Sequence, residues 1–372
     1  MRLIRSPQFA AGALIIAAVL GLLAANGPLA QAIGRLTSIQ LTAGPVQLSV
    51  EHWITDGLLA IFFFIAALEL KHELVAGELT TPAKALVPAA AALGGVLAPA
   101  GIYLLLLHDP ELRDGWPIPT ATDIAFALGV LAIVGRALPR RVRALLLALA
   151  VIDDLIAILI IAVFFAHDVK PLLLLAAVAV VAVFGLLSRR KGAVIVVLCT
   201  ILGVAAWVLV VLSGIHATVA GVALGLVFAS GNNHAVRHAL EPWSNAIILP
   251  LFAFVATLVR IPDLAATPLG PVFWTILVAL PVGKIVGITA GASLAARLGR
   301  SAVPLGDLLV VAALGGIGFT VSLLMNELAF AGSPEHQTEG TLGVLAASLV
   351  AIVLGGGAAI IRGRHYARAP RG

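Results

Sequence analysis

Four ionisable residues stand where an apolar chain makes charge costly: Asp123, Asp153, Asp154 and Lys284. Asp153 and Asp154 are neighbours, flanked by ALLLALAVI on one side and LIAILIIAVFF on the other. A charged carboxylate at the centre of a bilayer costs at least ~2.5–3.5 kcal/mol on insertion scales, so two side by side need partners. The bland alternative is a satisfied polar pair that glues helices together. Adjacent helical residues point about 100° apart, which lets one acid take a cation while the other takes a counter-charge. Lys284, in VGKIVGI, is the only cation at mid-span and the obvious counter-charge, unless it snorkels to an interface. Asp123 and Thr122, in WPIPTATDIAFALG, add further oxygens, the ligand type that hard cations take. With Asp154 they could replace the water shell of a small monovalent cation.

These residues need helices around them, and the composition says of what kind. The chain has 372 residues, of which 61% are hydrophobic and 11% charged, against roughly 25% charged in a soluble domain. No soluble fold buries that much apolar chain. The single Cys199 lies in an apolar run, which excludes disulfides. A net charge of +5 could suggest nucleic acid, but the basic residues fall in short clusters between apolar segments, which is membrane topology. About 20 residues cross the hydrocarbon, and on that ruler twelve spans are expected, over roughly 9–26, 53–70, 85–107, 117–135, 144–166, 172–187, 193–212, 214–230, 243–259, 272–294, 304–326 and 341–361. Of the 23 Lys and Arg, only Arg35, Arg113, Lys170 and Arg260 then fall opposite the termini, and Lys284 lies inside a span. The positive-inside rule therefore puts both termini in the cytoplasm. Arg2 and Arg5 before the run Phe9–Ala25 raise a cleaved signal peptide as an alternative; the charge pattern favours a retained first span.

Two of these spans are interrupted. Pro117 and Pro119 lack backbone N–H groups and bias their predecessors away from helical angles, so Trp116–Thr122 is expected to be irregular, with the helix restarting after an N-cap at Thr122 or Asp123. Gly315, Gly316 and Gly318 in AALGGIGFT weaken span 11 midway in the same manner. The fold expected is an all-α polytopic membrane protein, one transmembrane domain over 1–372. Spans 3–5 (about 84–166) and 10–12 (about 272–361) form units of opposite topology whose broken helices, spans 4 and 11, cross at mid-membrane. Irregular backbone at that depth is tolerated only when enclosed by protein or lining a wet cavity.

Other titratable residues are less decisive. His216, in HATVAG of span 8, either bonds a neighbouring helix or serves pH response. Glu69, His72, Glu73, His234, His238 and Glu241 form a fringe at the cytoplasmic rim, which reads as a solvated loop face or as a pH sensor.

The stretches ATDIAFALG (121–129), IDDL (152–155), HATVAG (216–221), LPLFAF (249–254), GK with VGI (283–288) and GIGFT (316–320) resemble, in order, the NhaA-type sodium/proton antiporters of bacterial inner membranes. Members of this family are among the worked examples behind the inverted-repeat rule, so the broken-helix pattern and the resemblance are not independent. The resemblance implies electrogenic, pH-dependent exchange of Na⁺ or Li⁺ for protons in sodium and pH homeostasis. It makes Asp153 and Asp154 the ion- and proton-binding acids, with Na⁺ or Li⁺ held at Asp154, Asp153 and Thr122, places Asp123 and Thr122 in the unwound crossing and makes Lys284 the essential lysine. It also assigns Glu69 and its neighbours to the pH-responsive region. The chain departs at Val255 and Ala256, Ile156 and Ile285, where Asn, Gly and Pro are usual, and at His72 and Arg237, where Arg and an acid are common.

No enzymatic activity and no cofactor are expected, and no P-loop motif is present to use ATP. Expected partners are the lipid bilayer, sodium or lithium ions and protons, with a second copy of the chain as a candidate homodimer and no nucleic acid. Two rival functions stay open on the residues: a sodium-coupled symporter of the same architecture, and an intramembrane aspartyl protease using two carboxylates. The protease is disfavoured because its acids belong on two helices with a GxGD motif, which is absent here.

Overall fold

A computed structural model describes residues 6–77, 79–166, 168–262, 269–299 and 303–368. Arg2, Arg5, Arg300 and Arg371 of the charge count lie outside the described residues. The chain opens with α1 (Pro7–Asn26), whose N-cap Ser6 accepts from the Phe9 N–H with Pro7 at the first helical position. It continues through α2 (Ala30–Thr37) to a hairpin, β1 (Gln40–Ala43) and β2 (Val46–Ser49). This hairpin departs from the all-α expectation. Its residues alternate around Gly44, which turns the chain at φ +61°, a left-handed conformation glycine adopts without strain.

Helices α3 (Val50–His52) and α4 (Leu59–Ala76) run on through a π turn over Trp53–Leu58. After α5 (Pro82–Leu106) come the 3₁₀ turns Pro110–Gly115 and Ile118–Thr120, then α6 (Ile124–Val134) and α7 (Arg140–Phe164). Next are α8 (Pro171–Leu187), α9 (Ala193–Leu212), α10 (Thr218–Val227) and α11 (Ser230–Trp243), which passes by a π turn into α12 (Leu249–Ala256). The last group is α13 (Pro271–Gly299), the broken pair α14 (Leu305–Gly315) and α15 (Phe319–Ala329), and α16 (Pro334–Arg368).

Among the described residues, eight helices are long and apolar enough to cross a membrane, or up to ten if each bent pair is one span. The expected spans 172–187 and 214–230 are helices of 17 and 10 residues, shorter than the usual ~20, so length alone does not establish twelve. The second is short because Gly214 turns the chain at φ +84° and the helix starts only at Thr218. Conversely, residues 231–242, expected as a loop, lie in α11, continuous with the expected ninth span. Pro242 and the π turn beside it accommodate the join.

Helix α1 packs against α6 and α12, and α10 packs against α4. The closest seam joins α5 and α13. A methyl group added at Gly94 would overlap the carbonyl of Gly287, one at Gly287 the carbonyl of Gly94, and one at Gly291 the carbonyl of Ala90. Small residues four apart on each helix thus let the two backbones touch, the packing that replaces the hydrophobic effect inside a bilayer. Lys284 lies in this seam: a methyl group at Gly95 would sit 3.6 Å from its Cδ.

Gly287→Val should therefore lower thermal stability in detergent by about 1–3 kcal/mol or more, the cost of overpacking. Gly12→Ala, where an added Cβ meets nothing within 4 Å, should leave the melting temperature unchanged or slightly raised. Equal behaviour of the two variants would refute the close seam.

Candidate ion-binding site

The two broken helices bend by 45° and 46° and are stitched together where they break. The Asp123 N–H donates to the Ile317 carbonyl at 2.6 Å, and the Thr122 hydroxyl donates to the Gly315 carbonyl at 2.7 Å. Asp123 is the N-cap of α6, where its Oδ1 accepts from the Phe126 N–H at 2.9 Å. Its Oδ2 accepts from the Thr320 hydroxyl at 2.8 Å and the Thr320 N–H at 3.2 Å. Thr320 belongs to the first turn of α15, so one carboxylate serves the N-termini of two half-helices. Each N-terminus carries a partial positive charge, and the carboxylate between them is held by both. At the crossing, Gly318 is required by space: a Cβ there would overlap the Ser322 hydroxyl and lie 3.1 Å from the Ala121 carbonyl.

Helix α7 presents its two acids to different surroundings. Lys284 Nζ donates to Asp153 Oδ2 at 2.6 Å, with both side chains fully buried. Thr122 also lies within hydrogen-bonding reach of Asp153. The other oxygen of Asp153, Oδ1, is buried without a partner, and so is Oδ1 of Asp154. Asp154 opens into a small pocket that Glu69 and Leu70 of α4 line opposite it, with Ile124 and Val222 at the sides. Buried acceptors without donors are rare because each forfeits its hydration, so these two oxygens ask for a cation, a proton or a water. The polar side chains that line the pocket, Asp154 and Glu69, offer oxygen of the hard-cation kind, and the rest of the lining is apolar.

The predicted residues fall into three neighbouring groups. Asp123, Thr122, Gly315, Gly316 and Gly318 meet at the crossing; Asp153 and Lys284 form the buried pair; Asp154 faces the pocket. Both oxygens of Asp123 are taken up by α6 and α15, so its carboxylate holds the crossing and leaves the unpartnered oxygens to α7. Of the rim residues, Glu69 lies 3.5 Å from Arg237. His234 and His238 stack at 5.8 Å on the exposed face of α11. His72 is exposed, Glu73 is buried and Glu241 is half-buried.

His216 precedes α10 and bonds a neighbouring helical segment, with Nε2 3.3 Å from Asp56 Oδ1 and Nδ1 2.8 Å from the Thr218 hydroxyl. Asp56 and Glu69 are thirteen residues apart on one continuous helical run, about 20 Å, so His216 stands well away from the rim group. Sequence reasoning missed Thr320 as a partner of Asp123. The only signal was its place just after the second break.

A family model described as Na⁺/H⁺ antiporter 1 matches residues 1–358. The chain belongs to that family. An Na(+)/H(+) antiporter NhaA 2 of Clavibacter michiganensis subsp. michiganensis is 53% identical over 99% of this chain and 93% of its own length. An Na(+)/H(+) antiporter NhaA of Tropheryma whipplei is 48% identical over 84% of this chain and 82% of its own. Among solved structures, the sodium proton antiporter MjNhaP1 of Methanocaldococcus jannaschii matches with a TM-score of 0.56 at 16% identity, covering 94% of this chain and 91% of that one. That last likeness concerns the fold: a helical membrane bundle with broken helices.

In this family member, Lys284→Met leaves Asp153 as an uncompensated buried charge, a loss of about 3–5 kcal/mol. Asp153→Leu combined with Lys284→Met removes both charges and should recover most of that stability. Thermal denaturation in detergent of the two single variants and the double variant measures the cycle, and additive effects would disprove the pairing.

Proposed function

We propose that the chain is an Na⁺/H⁺ antiporter of the bacterial inner membrane, driving Na⁺ or Li⁺ one way with protons moving the other. The observation that carries this is the pair of unpartnered, buried carboxyl oxygens on Asp153 and Asp154, set beside a crossing of half-helices and a buried lysine. Burial disfavours charge on a carboxylate and a bound cation favours it, so a proton and a sodium ion compete for the same acid, and pH and sodium together set occupancy. Asp154, with no cationic partner, is the first ligand. Thr122 and the free oxygen of Asp153 complete the shell.

Sodium on Asp153 competes with Lys284 for carboxylate oxygen. An ammonium left desolvated without its counter-charge is poised to give up its proton, and lysine, unlike arginine, can do so. Exchange is then electrogenic, with more protons moved than sodium ions, and serves sodium and pH homeostasis. Alternating access exposes the site to each side by moving one bundle against the other, the mode for which this family is a worked example. The uneven spread of Lys and Arg supports cytoplasmic termini.

In proteoliposomes, a sodium gradient at alkaline pH should drive proton movement in the wild type. Asp154→Asn, which keeps the shape and loses both the charge and the proton site, should abolish it; sodium-dependent proton release retained by that variant would refute the assignment. Lys284→Arg keeps a cation beside Asp153 that cannot readily deprotonate, so exchange should stop or become electroneutral. A voltage-sensitive dye reads this directly, and electrogenic exchange in the Arg variant would exclude the lysine as a proton carrier.

A further inference from the structure

At the face that the charge count makes cytoplasmic, a buried carboxylate outside the ion site gathers three helix ends. Asp307, in the first turn of α14, is only 1% exposed. It accepts from Arg141 of α7 (Nε at 3.0 Å and Nη2 at 2.9 Å) and from Arg362 of α16 (Nε at 2.8 Å). The Tyr366 hydroxyl lies 2.9 Å from its Oδ2 and 3.0 Å from its Oδ1, and also receives the Arg141 Nη2 donor at 2.6 Å. The Tyr366 ring carries the Arg362 guanidinium at 4.8 Å.

Two features indicate that this cluster has been accommodated at some cost. Arg141 stands in the first turn of α7, where the helix dipole disfavours a cation, and α7 has no acidic residue there to offset it. Asp307, at the start of the neighbouring helix, supplies the negative charge and suits the dipole of its own helix. The residue before it is Gly306, where any Cβ would come within 3.0–3.2 Å of the Arg362 guanidinium. A side chain at that position would need the Arg362 side chain to give by a few tenths of an ångström.

The clasp lies away from the ions but at the base of both elements that build their site. From Arg141, α7 runs twelve residues, about 18 Å, to Asp153; from Asp307, α14 runs eight residues, about 12 Å, to Gly315, the carbonyl that holds Thr122. Helices α7 and α14 pack side by side along the way. Apolar side chains set their spacing and resist sliding only weakly, whereas a two-arginine carboxylate with fixed fork geometry defines one axial position. A slip of one residue is about 1.5 Å, well beyond the ~0.5 Å within which a binding constellation must be held.

We propose that Asp307 is a positioning residue for ion exchange: by holding Arg141, Arg362 and Tyr366 together it fixes the register of the acid-bearing α7 against the broken-helix segment α14. This rests on the antiport reading above. Loss of the clasp leaves every ion ligand in place and misaligns them, so cation binding weakens while the folded, inserted protein remains.

The test uses the full chain in everted membrane vesicles, with Cys199→Ser, on α9 outside the site, as the background. Arg141→Cys with Asp307→Cys removes the clasp and allows its replacement by a short bifunctional maleimide. Unbridged, the double variant should show an apparent KM for sodium raised at least about tenfold, within the roughly 100-fold that a 1 Å misplacement can cost. Maximal rate per molecule should change much less. Bridging should return KM to within about twofold of the background. A native KM without the bridge overturns the proposal, and so does a raised KM that bridging leaves unaltered, since that assigns the effect to charge and not to register. Asp307→Asn gives a second arm free of cysteine chemistry: a raised KM supports the proposal and a native KM in folded protein contradicts it. If the Cys199→Ser background itself exchanges no sodium for protons, the antiport reading is what fails.

Discussion

One carboxylate between two helix N-termini makes the centre of this protein possible. Breaking two helices inside a membrane strands N–H and C=O groups that a bilayer cannot hydrate, and brings two partially positive helix ends close to each other. Asp123 answers both demands, capping α6 with one oxygen and receiving the first turn of α15 with the other. The neighbouring strands of backbone close the remainder: Thr122 to Gly315, and the Asp123 amide to Ile317. Because every connection in this knot except the Phe126 cap runs between the two broken helices, the units that carry them cannot shift relative to one another at mid-membrane without breaking hydrogen bonds to the Asp123 carboxylate.

Around the knot, each unit anchors its broken helix differently at its far end. The 3₁₀ segment leading into the first break ends on Trp116, which packs edge-on against Phe164 at the end of α7, ring centroids 5.2 Å apart. The helix leading into the second break is anchored by the Asp307 cluster at the ends of α7 and α16. An aromatic contact tolerates sliding along its face, whereas a buried carboxylate held by two arginines does not. The buried lysine is managed by a third device. Glycines at 94, 283, 287 and 291 bring the backbones of α5 and α13 into contact, and the tight seam holds the fully buried Lys284 stem with its amine on Asp153.

Much of this was legible in the chain, for physical reasons that also mark the limits. Proline and glycine act locally, so the two breaks and the N-cap at Asp123 follow from a dozen residues each. A lone lysine and adjacent acids in apolar runs must find partners, so their involvement follows from cost alone. What sequence does not carry is which partner each polar group meets. Thr320 is one hydroxyl among many, and only the fold turns it toward Asp123. Asp307 lies near the end of an expected span, where a charge needs no explanation, yet it is buried because three helix ends converge on it. His216 sits in an apolar run that does not name its partner; the turn at Gly214 sets it just before α10 and beside Asp56. The hairpin at 40–49 is too short for its alternation to stand out from a loop, and α11 has a polar face that hydropathy reads as solvent.

The three intramembrane acids and one lysine divide in a way that bears on what the site can hold. Asp123 is neutralised by backbone dipoles, which neither leave nor titrate. Asp153 is neutralised by Lys284, a partner that can be displaced by another cation and can lose its own proton. Asp154 has neither, and faces the pocket it shares with Glu69. A fixed charge, a conditional charge and an open one thus stand on the crossing or beside it. On the proposed reading, filling the open position draws on the conditional one, because a cation that meets Asp154 is shared with the free oxygen of Asp153. The number of charges moved per cycle then depends on whether the lysine answers by releasing a proton or by staying paired, and the seam that buries Lys284 weights that choice, because a desolvated ammonium has no hydration to replace the carboxylate it loses.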